Sequence, residues 1–150
     1  MNTKGQHLLV EYTGCDVRVL DDLKRIKSLM NEAAVAAKTK VVASVFKPFH
    51  PQGVSGVVVI EESHLSIHTW PEHGYASVDF FTCGNGMPVF AHDVLFEGLK
   101  AERAELMMVD RGMTNGPRAM KVRYHRSEAS SQPGADLLSC SREANLRVQV

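Results

Sequence analysis

The sequence predicts an α+β fold: a two-layer sandwich in which a largely antiparallel sheet carries two helices on one face. Three observations carry this. Short β-branched and aromatic runs follow one another through the middle of the chain, only two segments have helical apolar spacing, and 150 residues suit one domain. Such a sandwich leaves its second sheet face open, and packing that face on another copy is the simplest way to cover it, so a homodimer is expected.

The elements follow in order. His7–Thr13 reads as a strand ended by Gly14. From about Val17 to Lys38, Leu23, Ile26, Met30, Ala33, Ala34 and Ala37 recur at spacings of three and four, the signature of one buried helical face. Val41–Phe49 is a β-branched and aromatic strand closed by Pro48 and Pro51. Residues 52–56, with Gly53 and Gly56, read as loop. Val57–Ile60 is a continuous apolar run, expected to be buried on both faces. Leu65–Trp70 and Tyr75–Cys83 are strands separated by a turn over 71–74, and Ala76, Val78 and Phe80 share one face of the second. A second helix begins near Pro88 and buries Ala91, Val94, Leu95 and Leu99; Leu106–Val109 is the last clear strand. The main domain is expected over residues 1–112, with an edge strand within 113–126, near Met120–Tyr124. Residues 127–150 read as a disordered tail rich in serine, with Pro133 and Gly134.

Composition excludes several function classes. Lys+Arg and Asp+Glu number 17 each, so the formal charge is zero and the basic footprint of a nucleic-acid binder is missing. No apolar run approaches the length of a membrane span, and Leu8-Leu9-Val10 is too short for the core of a signal peptide. The 3 cysteines, Cys15, Cys83 and Cys140, are odd in number and widely spaced, which suits a reducing compartment. The expected location is the cytoplasm, with no nucleic-acid or membrane partner.

Reactive side chains concentrate between Ser55 and Cys83. On residue types alone three readings stay open. His64, Ser66 and His68 could simply alternate on a wet strand face. His64, His68 and His73 could ligate a metal, although no carboxylate or thiolate completes a recognised spacing. Ser63 or Cys83 could pair with His68 as nucleophile and base.

The run Glu61-Glu62-Ser63-His64-Leu65-Ser66-Ile67-His68-Thr69-Trp70-Pro71-Glu72, followed by 74–79 and Phe81-Thr82-Cys83-Gly84, resembles the S-adenosylmethionine decarboxylase proenzyme family in its short prokaryotic form. Residues 53–60 and His7-Leu8 add to the likeness, which covers about residues 5–112. The tail beyond Gly112 inherits nothing from it.

The resemblance implies a chain that cuts itself between Glu62 and Ser63, giving pieces 1–62 and 63–150. The Ser63 hydroxyl attacks the Glu62 carbonyl, Ser55 assists this amide-to-ester shift, and His68 removes the Cα proton so that the ester leaves by elimination. Residue 63 ends as a pyruvoyl group, which forms a Schiff base with a substrate amine and accepts the electrons released with CO₂; no metal is expected. Cys83 holds the proton-donor position. Phe49 and Trp70 match aromatic positions at the adenine, and Glu72 a carboxylate that reads the ribose hydroxyls. In the family the sites lie at or near a homodimer interface, with these binding groups drawn from both subunits. The implied substrate is S-adenosylmethionine and the product an aminopropyl donor for spermidine synthesis. Two alternatives remain: the same chemistry on arginine or ornithine, or an unprocessed, inactive partner subunit. One difficulty accompanies the reading. Ser63 and His68 have opposite parity, so a regular strand would point them to opposite faces, and a break near Ser63 is needed.

Overall fold

The computed structural model describes residues 3–113 and 122–129. Its elements are β1 (Gly5–Thr13), α1 (Val17–Leu20), α2 (Leu23–Ala36), β2 (Val41–Pro48), β3 (Val54–Ile60), β4 (Ser63–Trp70), a 3₁₀ turn (Pro71–His73), β5 (Tyr75–Thr82), α3 (Pro88–Gly98), β6 (Arg103–Arg111) and β7 (Val122–Glu128). The strands form one seven-stranded sheet in the order β2-β3-β4-β5-β1-β6-β7, and every neighbouring pair is antiparallel. The α+β class and the antiparallel sheet agree with the sequence-based expectation.

Alternation builds the core. Leu8, Val10 and Tyr12 of β1, Leu65 and Ile67 of β4, and Ala76, Val78 and Phe80 of β5 point to one face. There they meet Ile26, Leu29, Met30, Ala33 and Ala34 of α2 and Ala91 and Leu95 of α3. Fully burying one such side chain contributes about 1.5–3 kcal/mol, so this layer supplies most of the driving force for folding.

Four details differ from the sequence reading. The single helix expected over 17–38 is two helices, because Asp16 and Asp22 each cap one: Asp16 accepts from the Arg18 N–H, and Asp22 from those of Lys24 and Arg25. α2 ends at Ala36, and Lys38 turns the chain with φ +60°. Residues 54–56 are strand rather than loop; the Phe46 ring of β2 lies over Gly56, where a Cβ would come within 1.9 Å of it. Finally, β3 is not buried on both faces, since Val59 is 40% exposed while Val58 and Ile60 are buried. β7 pairs with β6 and includes Ser127 and Glu128. The expected disordered tail over 127–150 therefore overlaps the end of this strand; its residues from 130 onward, including Cys140, lie outside the described ones. No helix among the described residues is long and apolar enough to cross a membrane.

A histidine is sealed in the core. His92 of α3 is 3% exposed, and its Nδ1 is 2.9 Å from the Tyr12 hydroxyl. Burial pushes its pKa down to about 4, with a smaller contribution from His125. Folded His92 stays neutral where the unfolded chain takes up a proton, so its contribution is whole above about pH 6.5 and is lost as pH falls towards 4, on the order of 3 kcal/mol. In denaturant titrations the native chain should lose that much more stability between pH 7 and pH 4 than His92→Gln; parallel curves would refute the assignment.

Candidate active site

The sheet face away from the helices carries the reactive side chains. His64, Ser66, His68 and Trp70 of β4 stand beside Phe81, Asp79, Ser77 and Tyr75 of β5. These in turn stand beside His7, Leu9, Glu11 and Thr13 of β1. Ser66 donates to Asp79 at 3.1 Å, and His7 Nε2 lies 3.3 Å from the other oxygen of Asp79. The Arg111 guanidinium stacks on the Phe81 ring at 4.3 Å and is hydrogen-bonded to His7. Burial holds the His7 pKa below its ordinary value, with Asp79 opposing and Arg111 assisting. Glu11 accepts from the Tyr75 and Ser77 hydroxyls.

The residues singled out from the sequence fall into two groups. At one end of β4, Glu61 and Glu62 turn the chain from β3 into Ser63. Lys40 braces this turn: its carbonyl accepts from the Glu61 N–H at 3.0 Å, and its ammonium reaches the Glu61 carboxylate at 2.6 Å. Ser63 has φ +153°, a backbone angle that only glycine adopts freely, so strain sits at the Glu62–Ser63 junction. Ser63 nevertheless stays in the β4 ladder opposite Thr82, so this strain does not turn it to the face that carries His68. The Cys83 N–H donates to the Glu62 carbonyl at 2.9 Å. Any negative charge developing on that oxygen would already face a donor. The Cys83 side chain is exposed.

At the other end lie Ser55, His68, Phe49, Trp70 and Glu72. Ser55 pairs with His68 across β3 and β4, and its Oγ is 2.7 Å from His68 Nδ1. The His68 and Trp70 rings are 6.3 Å apart, and Trp70 leans on Tyr75 at 5.1 Å. Phe49 and Trp70 are 48% and 38% exposed, so neither is a core residue. Glu72 sits in the 3₁₀ turn directly after Trp70.

Ser63 and His68 are not brought together within one chain. Five strand steps separate them, about 16 Å at ~3.3 Å per step. Their register partners also differ: Ser63 pairs with the buried Thr82, and His68 with Ser77 of the open face. Nor do His64, His68 and His73 converge; no group of three metal-ligating side chains occurs among the described residues. Spacing gave no sign of the Cys83 N–H on Glu62, the Lys40 brace or the His7–Asp79–Arg111 cluster, because each joins residues far apart in sequence.

Fold and site define an α+β protein with an open, chemically loaded sheet face and a strained Glu–Ser junction. Comparison with known proteins gives this class a family. The family described as S-adenosylmethionine decarboxylase matches residues 6–112. The S-adenosylmethionine decarboxylase proenzyme of Caldanaerobacter subterraneus subsp. tengcongensis is 50% identical over 118 residues, covering 78% of this chain and 95% of that protein. The proenzyme 2 of Halalkalibacterium halodurans is 47% identical over 114 residues, covering 75% and 90%. The crystal structure of the adenosylmethionine decarboxylase from Aquifex aeolicus superposes with a TM-score of 0.70 at 34% identity, covering 79% of this chain and 98% of that one. The chain belongs to the S-adenosylmethionine decarboxylase family.

Proposed function

We propose that this protein is a self-processing, pyruvoyl-dependent carboxy-lyase that removes CO₂ from S-adenosylmethionine and supplies the aminopropyl donor for spermidine biosynthesis. The observation that carries this is the Glu62–Ser63 junction, strained at Ser63 and hydrogen-bonded by Cys83 at the Glu62 carbonyl.

Processing uses the chain's own groups. The Ser63 Oγ adds to the Glu62 carbonyl carbon, and the Cys83 N–H stabilises the oxyanion. Collapse breaks the C–N bond and leaves an ester with a free amine on residue 63, relieving the unfavourable φ. His68 then takes the Cα proton of residue 63, the ester oxygen departs with Glu62 as a new carboxylate terminus, and the remaining enamine hydrolyses with loss of ammonia to a ketone. Ser55, 2.7 Å from His68, orients the imidazole and exchanges protons with it. The resulting pyruvoyl group supplies an electrophilic carbonyl that takes up the electrons released with CO₂. The Cys83 thiol returns a proton to the substrate carbon.

The two groups of residues meet through a homodimer. The open face offers Val45 (67% exposed), Val59, Met107 and Tyr124 around its polar centre, an arrangement suited to burial against a second copy. A two-fold axis through this face presents the Ser55–His68 end of one chain to the Glu62–Ser63 end of the other. Phe49, Trp70 and Glu72 then arrive with His68. The two aromatic faces suit an adenine and an adjacent sulfonium, worth about 0.5–2 kcal/mol in cation–π attraction, and Glu72 accepts from ribose hydroxyls. Arginine or ornithine would leave the adenine slot between the aromatic faces unfilled, which favours the nucleoside substrate. The free thiols of Cys15 and Cys83 suit the cytoplasm.

The test is turnover. Purified chain should release CO₂ from S-adenosylmethionine and not from arginine or ornithine, and the reverse preference would overturn the substrate assignment. Cys83→Ala keeps the backbone N–H on Glu62, so it should still cleave while losing most turnover and misplacing the product proton. Full activity in that variant would remove Cys83 as the donor.

A further inference from the structure

We infer that Gln52 is a positioning residue for the nucleoside ribose, acting through Glu72. The inference rests on the proposed role of Glu72 and extends it. Glu72 is exposed on a single 3₁₀ turn, and a surface carboxylate with free χ angles is a poor reader of a rigid diol. Gln52 supplies the missing constraint: its Nε2 donates to Glu72 Oε2 at 3.2 Å. A carboxylate has about four lone-pair positions, so one amide donor fixes its plane and still leaves room for both ribose hydroxyls.

The donor is itself firmly placed. The Phe49 N–H closes the 49–53 loop on the Gly53 carbonyl at 2.8 Å. The Gly53 N–H is held by Asp21 Oδ1 at 2.8 Å. Gly53 has φ +103°, and a Cβ there would sit 2.8 Å from the Thr69 carbonyl, so only glycine lets the loop lie this close to β4. The Thr69 hydroxyl accepts from the Val54 N–H and donates to the Leu20 carbonyl, both at 2.8 Å. Asp21 and Thr69 thus bolt to the end of α1 the loop that carries Phe49 and Gln52, while Trp70 and Glu72 follow Thr69 directly in the chain. Gln52 is the link that joins the loop to Glu72 from the side, so the adenine-flanking ring and the ribose-reading carboxylate share one rigid mount.

The experiment uses the full self-processed chain. Gln52→Met keeps length and removes the donor; Gln52→Glu keeps shape and sets a second carboxylate against Glu72. Both should cleave themselves as the native chain does. Gln52→Met should raise KM for S-adenosylmethionine about three- to tenfold with kcat nearly unchanged, the range expected for one ordinary hydrogen bond at an exposed site. Gln52→Glu should raise it further. As competitive inhibitors, 5′-methylthioadenosine and its 2′-deoxy counterpart should be distinguished by the native enzyme and less so by both variants, a readout that general loosening of the loop would not move selectively. Glu72→Gln is the control. If it leaves KM and the ribose preference intact, the ribose role of Glu72 falls. If it alters both while Gln52→Met alters neither, the Gln52 inference alone is overturned.

Discussion

Ser63→Ala will leave the chain whole and without decarboxylase activity. Alanine keeps the backbone and nearly the volume of serine, and the Ser63 side chain makes no hydrogen bond among the described residues, so the fold should survive. What disappears is the only oxygen that can attack the Glu62 carbonyl from the adjacent residue, together with the Cβ–O bond that elimination must break. A denaturing gel and intact mass should show one full-length species, while the native chain gives pieces corresponding to 1–62 and 63–150, the second with a blocked N-terminus. Activity should drop to background. Normal splitting of Ser63→Ala would displace the cleavage site from this junction and remove the basis of the functional assignment.

The second large effect is a recovery. Ser63→Ala and His68→Ala should each be inactive alone, because one lacks the nucleophile and the other the base. Co-expressed, they should regain activity. In a mixed dimer, the Ser63 end of the His68→Ala chain faces the intact His68 of its partner, which restores one site; the other site lacks both groups. With random pairing, recovered turnover should approach about a quarter of the native value. The expectation follows from the ~16 Å along β4 between Ser63 and His68. Zero recovery in verified mixed dimers would mean that both residues serve the same chain, and the two-fold arrangement would have to be abandoned.

Much of this was legible in the sequence, for identifiable reasons. Alternation of Ala76, Val78 and Phe80 against Ser77, Asp79 and Phe81 gave β5 its two faces, since period-two patterning follows directly from strand geometry. Apolar spacing that continues across Asp21 and Asp22 predicts one unbroken helix over 17–38, whereas the caps at Asp16 and Asp22 divide it in two. Residues 54–56 looked like loop because glycine usually marks one, whereas Gly56 is there to make room for a ring on the neighbouring strand. The likeness to a known family supplied Ser63, His68 and Cys83 as a set, but their division between two ends of one strand is a property of register. The contacts of Gln52 with Glu72, Asp21 with Gly53 and Cys83 with Glu62 depend on loop closure, which residue spacing does not encode.

The strand order has a mechanical corollary for a chain that severs itself at Glu62–Ser63. The first piece would own β1, β2 and β3, the second β4 to β7, yet β1 lies between β5 and β6. The halves are laced rather than stacked. Neither can be drawn out without tearing the ladders on both sides of β1 and stripping the helical cover from the core. The cut therefore frees a chemical terminus without freeing a subunit, and the matured protein would behave as one body in everything except its covalent count.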